Sequence, residues 1–346
     1  MKKFSFLMLL VSGVLALNAQ DSDKQPYLTK SLSSESVKKV QVETSGGSIT
    51  VASGAADQSR IEVYIRGNGG ITNNISKEEI QKRLDENYSL DISVSNNKLT
   101  AIAKQKSGNL NWKKSLSISF KIFVTEKVDT KLSTSGGSIS LTDLSGVQDF
   151  STSGGSLHVQ HIRGTINGNT SGGSITLIDS NGDIDLATSG GSITSKASEG
   201  NMKLNTSGGS LNFESLKGKI DAGTSGGSIH GSNISGELIA HTSGGSIDLR
   251  DLMCSLETST SGGHINVQIK ELGKYTKIDN SGGNIELEIP GNVGMNIDLR
   301  GDKISANKIN NFSGSQDKDS MNGTLNGGGA PVKVNAGSGR ITLSLK

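Results

Sequence analysis

The chain has 346 residues, a formal net charge of +2, 46 glycines, 3 prolines and 3% aromatics. Abundant glycine without proline excludes collagen and proline-rich disorder, and 32% hydrophobic residues are thin for one large globular core. So small a net charge gives no electrostatic basis for binding nucleic acid or an anionic membrane.

Residues 1–19 read as an export signal. Lys2 and Lys3 form a basic start, Phe4 to Leu17 is nearly all apolar, and Leu17-Asn18-Ala19 offers a cleavage site. The apolar run is shorter than the roughly 20 residues a membrane span needs. No later segment is apolar enough to cross a bilayer, so no transmembrane span is expected after cleavage. Cleavage removes Lys2 and Lys3 and leaves the chain near neutrality. Residues 20–39 are polar and unpatterned and read as a flexible leader.

Residues 40–133 read as an N-terminal β region with a helix insertion, forming the first coil and a cap. A TSGG motif starts at Thr44, and strands are expected over Ile61–Arg66, Leu90–Val94, Lys98–Ala103 and Leu116–Val124. Between them, ISKEEIQKRLDENY predicts one short helix. Ser76 is its N-cap, Glu79 the capping-box partner, and Ile75, Ile80 and Leu84 its apolar stripe. Such a helix would cover an open β-end, which repeat arrays require. Trp112, the one tryptophan, is expected to pack in a loop or in the cap.

Residues 134–289 carry the dominant pattern. TSGG begins at Thr134, Thr152, Thr170, Thr188, Thr206, Thr224, Thr242 and Thr260, always 18 residues apart, and a degenerate NSGG follows at Asn280. Counting from each Thr, positions six and eight are mostly apolar, as in Ile139 and Leu141 or Ile175 and Leu177. Position eleven is often apolar, position fifteen mostly so, and position thirteen is glycine from Gly146 to Gly236. Period-two alternation means strands. Each unit is expected to hold two of them, with corners at SGG and at the position-thirteen glycine. No unit has room for a helix or a propeller blade. The fold expected is all-β: a single-stranded parallel β-solenoid, β-helix-like, with 18-residue coils and one short helix in the N-terminal cap region. At about 4.8 Å per coil the regular units make a rod of roughly 40 Å. Cys254 is the one cysteine, so no internal disulfide is expected, and it takes the small-residue slot at position thirteen. Residues 290–346 read as irregular coils and a cap: NNFSGSQDKDSMNGT is a polar loop, and NAGSGRITLSLK echoes the motif.

The repeat carries no recognisable chemistry. The calcium-binding nonapeptide roll also spends 18 residues per turn, but its ligand Asp has no counterpart here. Asp143, Asp179 and Asp251 share position ten, yet His161, Ala197, Ser215 and Asn233 occupy the coils between. Asp183 and Asp185 read as solvated charge. His158, His161, His230, His241 and His264 have no metal-ligand spacing. No Ser-His-Asp set or nucleotide fingerprint is seen. Catalytic, cofactor-binding and metal residues are therefore none, and no cofactor is expected. Outward hydroxyls at positions five and seven, such as Ser138 with Ser140 and Ser174 with Thr176, could contact ice or glycans. Solubilising a strand face is the plainer role.

Three segments carry a family resemblance: VKKVQVETSGGSITV, SLSISFKIFVTEKVDTKLSTSGGSISL and GGGAPVKVNAGSGRITLSL. With the SGG-I-x-L strands between them, residues 40–346 resemble the DUF4097 family of adhesin-like exported proteins. The resemblance implies a β-helix-like fold at the cell surface or in the periplasm, and it brings no catalytic residues. This array is more regular than the family's usual degenerate repeats.

The sequence thus points to a non-enzymatic exported β-solenoid scaffold, adhesin-like, at the cell surface, outer envelope or periplasm. Its partner would be a surface ligand such as a glycan or an envelope protein. The alternatives are a periplasmic accessory or envelope-stress sensing protein and, more distantly, a polysaccharide-active β-helix enzyme.

Overall fold

The structure is a computed structural model describing residues 25–67, 75–106, 115–307 and 309–346. The export signal and Trp112 lie outside the described residues.

Strands β1 (Leu28–Ser31), β2 (Lys39–Thr44), β3 (Ile49–Ser53) and β4 (Arg60–Gly67) precede helix α1 (Lys77–Asn87). Then come β5 (Tyr88–Ser95), β6 (Lys98–Gln105), β7 (Leu116–Val124) and β8 (Asp129–Thr134). The regular coils follow as strand pairs: β9 (Ile139–Thr142) and β10 (Ser145–Thr152), β11 (Leu157–Gln160) and β12 (Arg163–Thr170), β13 (Ile175–Ile178) and β14 (Asn181–Thr188), β15 (Ile193–Lys196) and β16 (Glu199–Thr206). In the next coils the two strands run together as β17 (Leu211–Thr224), β18 (Ile229–Thr242), β19 (Ile247–Thr260) and β20 (Ile265–Asn280). The chain ends with β21 (Ile285–Ile289), β22 (Met295–Asn307), β23 (Phe312–Gln316), β24 (Ser320–Leu325) and β25 (Ala330–Leu345).

Coils stack in parallel with the register the period demands. Positions six to nine form one ladder, in which Leu157 lies between Ile139 and Ile175. Positions twelve onward form a second, in which Ile166 lies beside Ile184 and Ile184 beside Met202. The expected solenoid and its 18-residue coil are what the chain adopts. Positions six, eight, eleven and fifteen point inward as expected, and position seventeen joins them through Phe150, Leu186, Leu204, Ala222 and Ala240. Burying each large aliphatic contributes about 1.5–3 kcal/mol. Neighbouring coils trade volume. A Cβ at Gly168 would lie 2.3 Å from the Phe150 ring and 2.8 Å from Leu186, so large side chains above and below fill the space glycine vacates. At position eleven, buried Ser180 and Ser198 interrupt the aliphatic column. Each hydroxyl donates to a carbonyl two residues back, at 2.9 Å, and accepts an N–H from the preceding coil.

One corner lies elsewhere than expected. The chain turns at position ten, where Asp143, His161, Asp179, Ala197, Ser215, Asn233 and Asp251 all have φ between 45° and 57°. Asp, Asn and His tolerate this left-handed region better than most residues, which accounts for their recurrence there. The position-thirteen glycine sits inside the second strand, with φ of 105° to 138° from Gly146 to Gly236. The SGG glycines serve close approach. A Cβ at Gly191 would be 2.0 Å from the Gly173 carbonyl oxygen beneath it.

Both ends depart from the simple stack, and in the same way. The first coil, β2 and β3, is not outermost. β2 lies between β6 and β8, and β3 between β7 and β9, so Thr44 stacks on Thr134 across 90 residues. Outside them β4 pairs antiparallel with β7, and β5 with β6. Helix α1 packs against β4, β5 and β7 with Leu84 buried, and Ser76 caps it by accepting the Glu79 N–H at 3.3 Å. At the other end β25 slots between β20 and β22 in one ladder and between β21 and β22 in the other.

Two expectations are corrected here. Within residues 20–39, read as a flexible leader, β1 pairs antiparallel with β4, and Leu32 and Val37 are buried. Every β1 side chain is exposed, so the polar sequence concealed a strand held by its backbone. The segment read as a polar loop holds the β23–β24 antiparallel hairpin, in which Met321 and Leu325 are the buried side chains of an otherwise polar pattern.

Candidate functional site

A stacked coil multiplies each side chain into a column, so candidate chemistry must be judged column by column. The Thr column faces inward. Each Thr Oγ1 donates to the position-four glycine carbonyl of the coil before, as Thr188 does to Gly173 at 2.8 Å. It also accepts the glycine N–H of its own turn, from Gly191 at 3.3 Å. The position-five serines accept the N–H of the next serine along the rod, from Ser156 to Ser138 at 3.1 Å and onward to His264 on Ser246 at 3.2 Å. These hydroxyls bind the coils to one another; those at position seven remain turned outward.

Position ten brings together residues that are separate in the sequence. His161 Nδ1 lies 2.8 Å from Asp143, and its Nε2 lies 3.5 Å from Asp179. All three are substantially exposed, and no group of three or more His, Cys, Asp or Glu side chains suited to a metal occurs among the described residues. The imidazole bridges two corner carboxylates across successive coils. Asp183 and Asp185 are exposed on the second face, where Asp183 accepts from Asn201 at 2.9 Å.

One nucleophile–base pair escaped the sequence reading: His241 Nδ1 and Ser259 Oγ are 2.9 Å apart. Their spacing of 18 residues was the available signal, since it makes any two residues ladder neighbours. Among the described residues no carboxylate is hydrogen-bonded to the other imidazole nitrogen, so the orienting member of a triad is missing. Nearby, Tyr275 donates to Glu237 at 3.1 Å, and burial together with that carboxylate raises the phenol above its ordinary range. Lys277 pairs with Glu257 at 2.8 Å, which raises its ammonium. Cys254 is buried, and desolvation pushes its thiol up to about 12, which keeps it protonated and unreactive.

The outward faces differ along the rod. On the first face the stretch from β3 through β13 presents Thr50, Ser140, His158 and Thr176 at position seven, and Ala52, Thr142, Gln160 and Ile178 at position nine. Further along, Lys196 with Glu214 at 2.8 Å, and Asp248 with Arg250 at 2.9 Å, form ion pairs. No described helix is long and apolar enough to cross a membrane.

The family model described as Toastrack DUF4097 matches residues 180–344. A solved structure described as a "putative cell adhesion protein" from Clostridium sporogenes is 13% identical over 92% of this chain and 98% of that one. Its TM-score is 0.19. No curated protein is significantly similar.

Proposed function

Proceeding from residues 180–344 as a Toastrack DUF4097 domain, we propose that the chain is a non-enzymatic exported scaffold, adhesin-like, which engages a cell-surface or envelope partner through its outward strand faces. Export rests on the signal-like residues 1–19. The absence of catalysis rests on the structural duties of the polar columns: Thr and Ser join coils, and position ten makes the turn. The observation that carries the reading is the first face from Thr50 to Ile178, which has no Lys, Arg, Asp or Glu at positions seven and nine. There Thr50, Ser140, Thr142, His158, Gln160 and Thr176 stand in register, without the Lys–Glu and Arg–Asp pairs that occupy those positions in the far half. A flat face of that kind suits a neutral polymer such as a glycan.

The purified exported protein is to be titrated against glycans, cell-wall polymers and matrix proteins. Saturable binding that is lost on Thr176→Lys supports the proposal; no saturable binding to any of them contradicts it. Protease shaving of intact cells separates a surface location from the periplasm.

A further inference from the structure

The regular coils are not equally well filled. In the seven 18-residue coils from Thr134 to Ser259, positions six, eight, eleven, fifteen and seventeen turn inward. Six of these coils place at most one polar side chain there: Gln148, Ser180 or Thr258. The coil of residues 188–205 places two, Ser195 at position eight and Ser198 at position eleven, where aliphatic side chains are usual.

The others are satisfied. Gln148 donates to the Val128 carbonyl at 2.8 Å and Thr258 to the Ala240 carbonyl at 2.9 Å, while Ser180 and Ser198 each donate to a carbonyl of their own coil. Ser195 Oγ is different. Among the described residues of these seven coils it is the one buried side-chain oxygen without a hydrogen-bond partner. Its ladder neighbours are Leu177 and Phe213, so the hydroxyl is desolvated and also forgoes the contacts an aliphatic side chain would make there. Outside, the same coil is tied to the next by two exposed ion pairs, Lys196 with Glu214 at 2.8 Å and Lys217 with Glu199 at 2.9 Å. Exposed pairs replace lost core packing poorly. In a stacked array each coil is held only by its neighbours, so a weakly held coil uncouples what lies on either side of it.

We propose that residues 188–205 form a built-in weak coil at which the rod uncouples, so that the chain before it and the chain after it open as separate cooperative units. A rod loaded from its two ends yields at this coil first, while the capped ends stay folded. The inference does not depend on what the outward strand faces bind.

Hydrogen exchange read by mass spectrometry on the purified full chain, across a urea series, tests it. Peptides before residue 188 and after residue 205 are expected to lose protection at different urea midpoints, with the step falling inside 188–205. Ser195→Ala removes the unpaired hydroxyl without adding volume, and Ser195→Val restores the side chain that Val159 supplies at the same position. Each should draw the two midpoints together by about 0.5 M urea, the scale of one buried polar group against a typical denaturant slope. The double variant Lys196→Gln, Lys217→Gln should move them further apart, and the outward control Ser140→Ala should leave the gap as it is. If Ser195→Val overpacks the core, Ser195→Ala still decides. One midpoint for the whole chain, a step elsewhere than 188–205, or a gap unchanged in Ser195→Ala would each overturn the proposal.

Discussion

In the regular array each strand finds its partner 18 residues away, and the same contacts recur coil after coil. At the ends the partners are distant: Thr44 lies beside Thr134, and Met295 beside Ala330. The array can therefore order locally, whereas each end needs a strand from elsewhere in the chain to be inserted before an outer strand can close over it. The difference teaches where the rod is redundant and where it is not. Losing one coil contact leaves many like it, but losing an inserted strand leaves two ladders without a neighbour.

The largest effect should come from deleting residues 330–346. It strips β25 from β20, β21 and β22 together and exposes strand edges that invite aggregation. Loss of cooperative unfolding, with aggregation on size-exclusion chromatography, is expected. A soluble chain with an unchanged melting curve would show that the end is dispensable.

Within the array, two adjacent glycines should behave oppositely. A Cβ at Gly191 meets the Gly173 carbonyl oxygen at 2.0 Å, while at Gly190 the nearest atom is 3.5 Å away. Gly191→Ala should destabilise by about 3 kcal/mol or more, through overpacking against backbone. Gly190→Ala should stay within about 1 kcal/mol of the parent. Chemical denaturation of the pair decides this, and equal effects would refute the stacking geometry.

Smaller again is Thr206→Val, which keeps the shape but removes the donor to the Gly191 carbonyl and the acceptor of the Gly209 N–H. A loss of about 1–3 kcal/mol is expected in the same denaturation assay, since buried polar groups are left without a partner. The mildest change is a gain. Ala197 occupies the left-handed corner at φ 49°, where its neighbours are Asp and Ser. Ala197→Asn should raise stability by about 0.5–1 kcal/mol, read as a higher denaturation midpoint.

These predictions also mark what the residues disclosed. Ile175, Leu177 and Gly182 announce their roles by recurring at fixed positions, so the coil length, the main core columns and the register were legible. The turn at position ten was not. Asp179, Ala197 and Asn233 share a backbone angle rather than a chemistry, and a pattern search sees only variety there. Phe150 above Gly168 was hidden for a related reason, because a column that alternates large and small shows no consensus. The inserted ends were the least visible: β1 is held by backbone bonds, and nothing local in β25 says that it belongs inside the stack. Of the candidate sites, the His241–Ser259 pair could have been found from its spacing alone.

The central claim is that each 18-residue unit adds one coil and nothing else. It is tested by duplicating residues 188–205 and measuring the distance between spin labels at Asp149→Cys and Asp221→Cys. Both sites are exposed at position sixteen, four coils apart, and the native Cys254 is too deeply buried to label. Double electron–electron resonance should give about 19 Å before the duplication and about 24 Å after it, one strand spacing more. An unchanged distance, or a broad distribution from an unfolded array, would contradict the account.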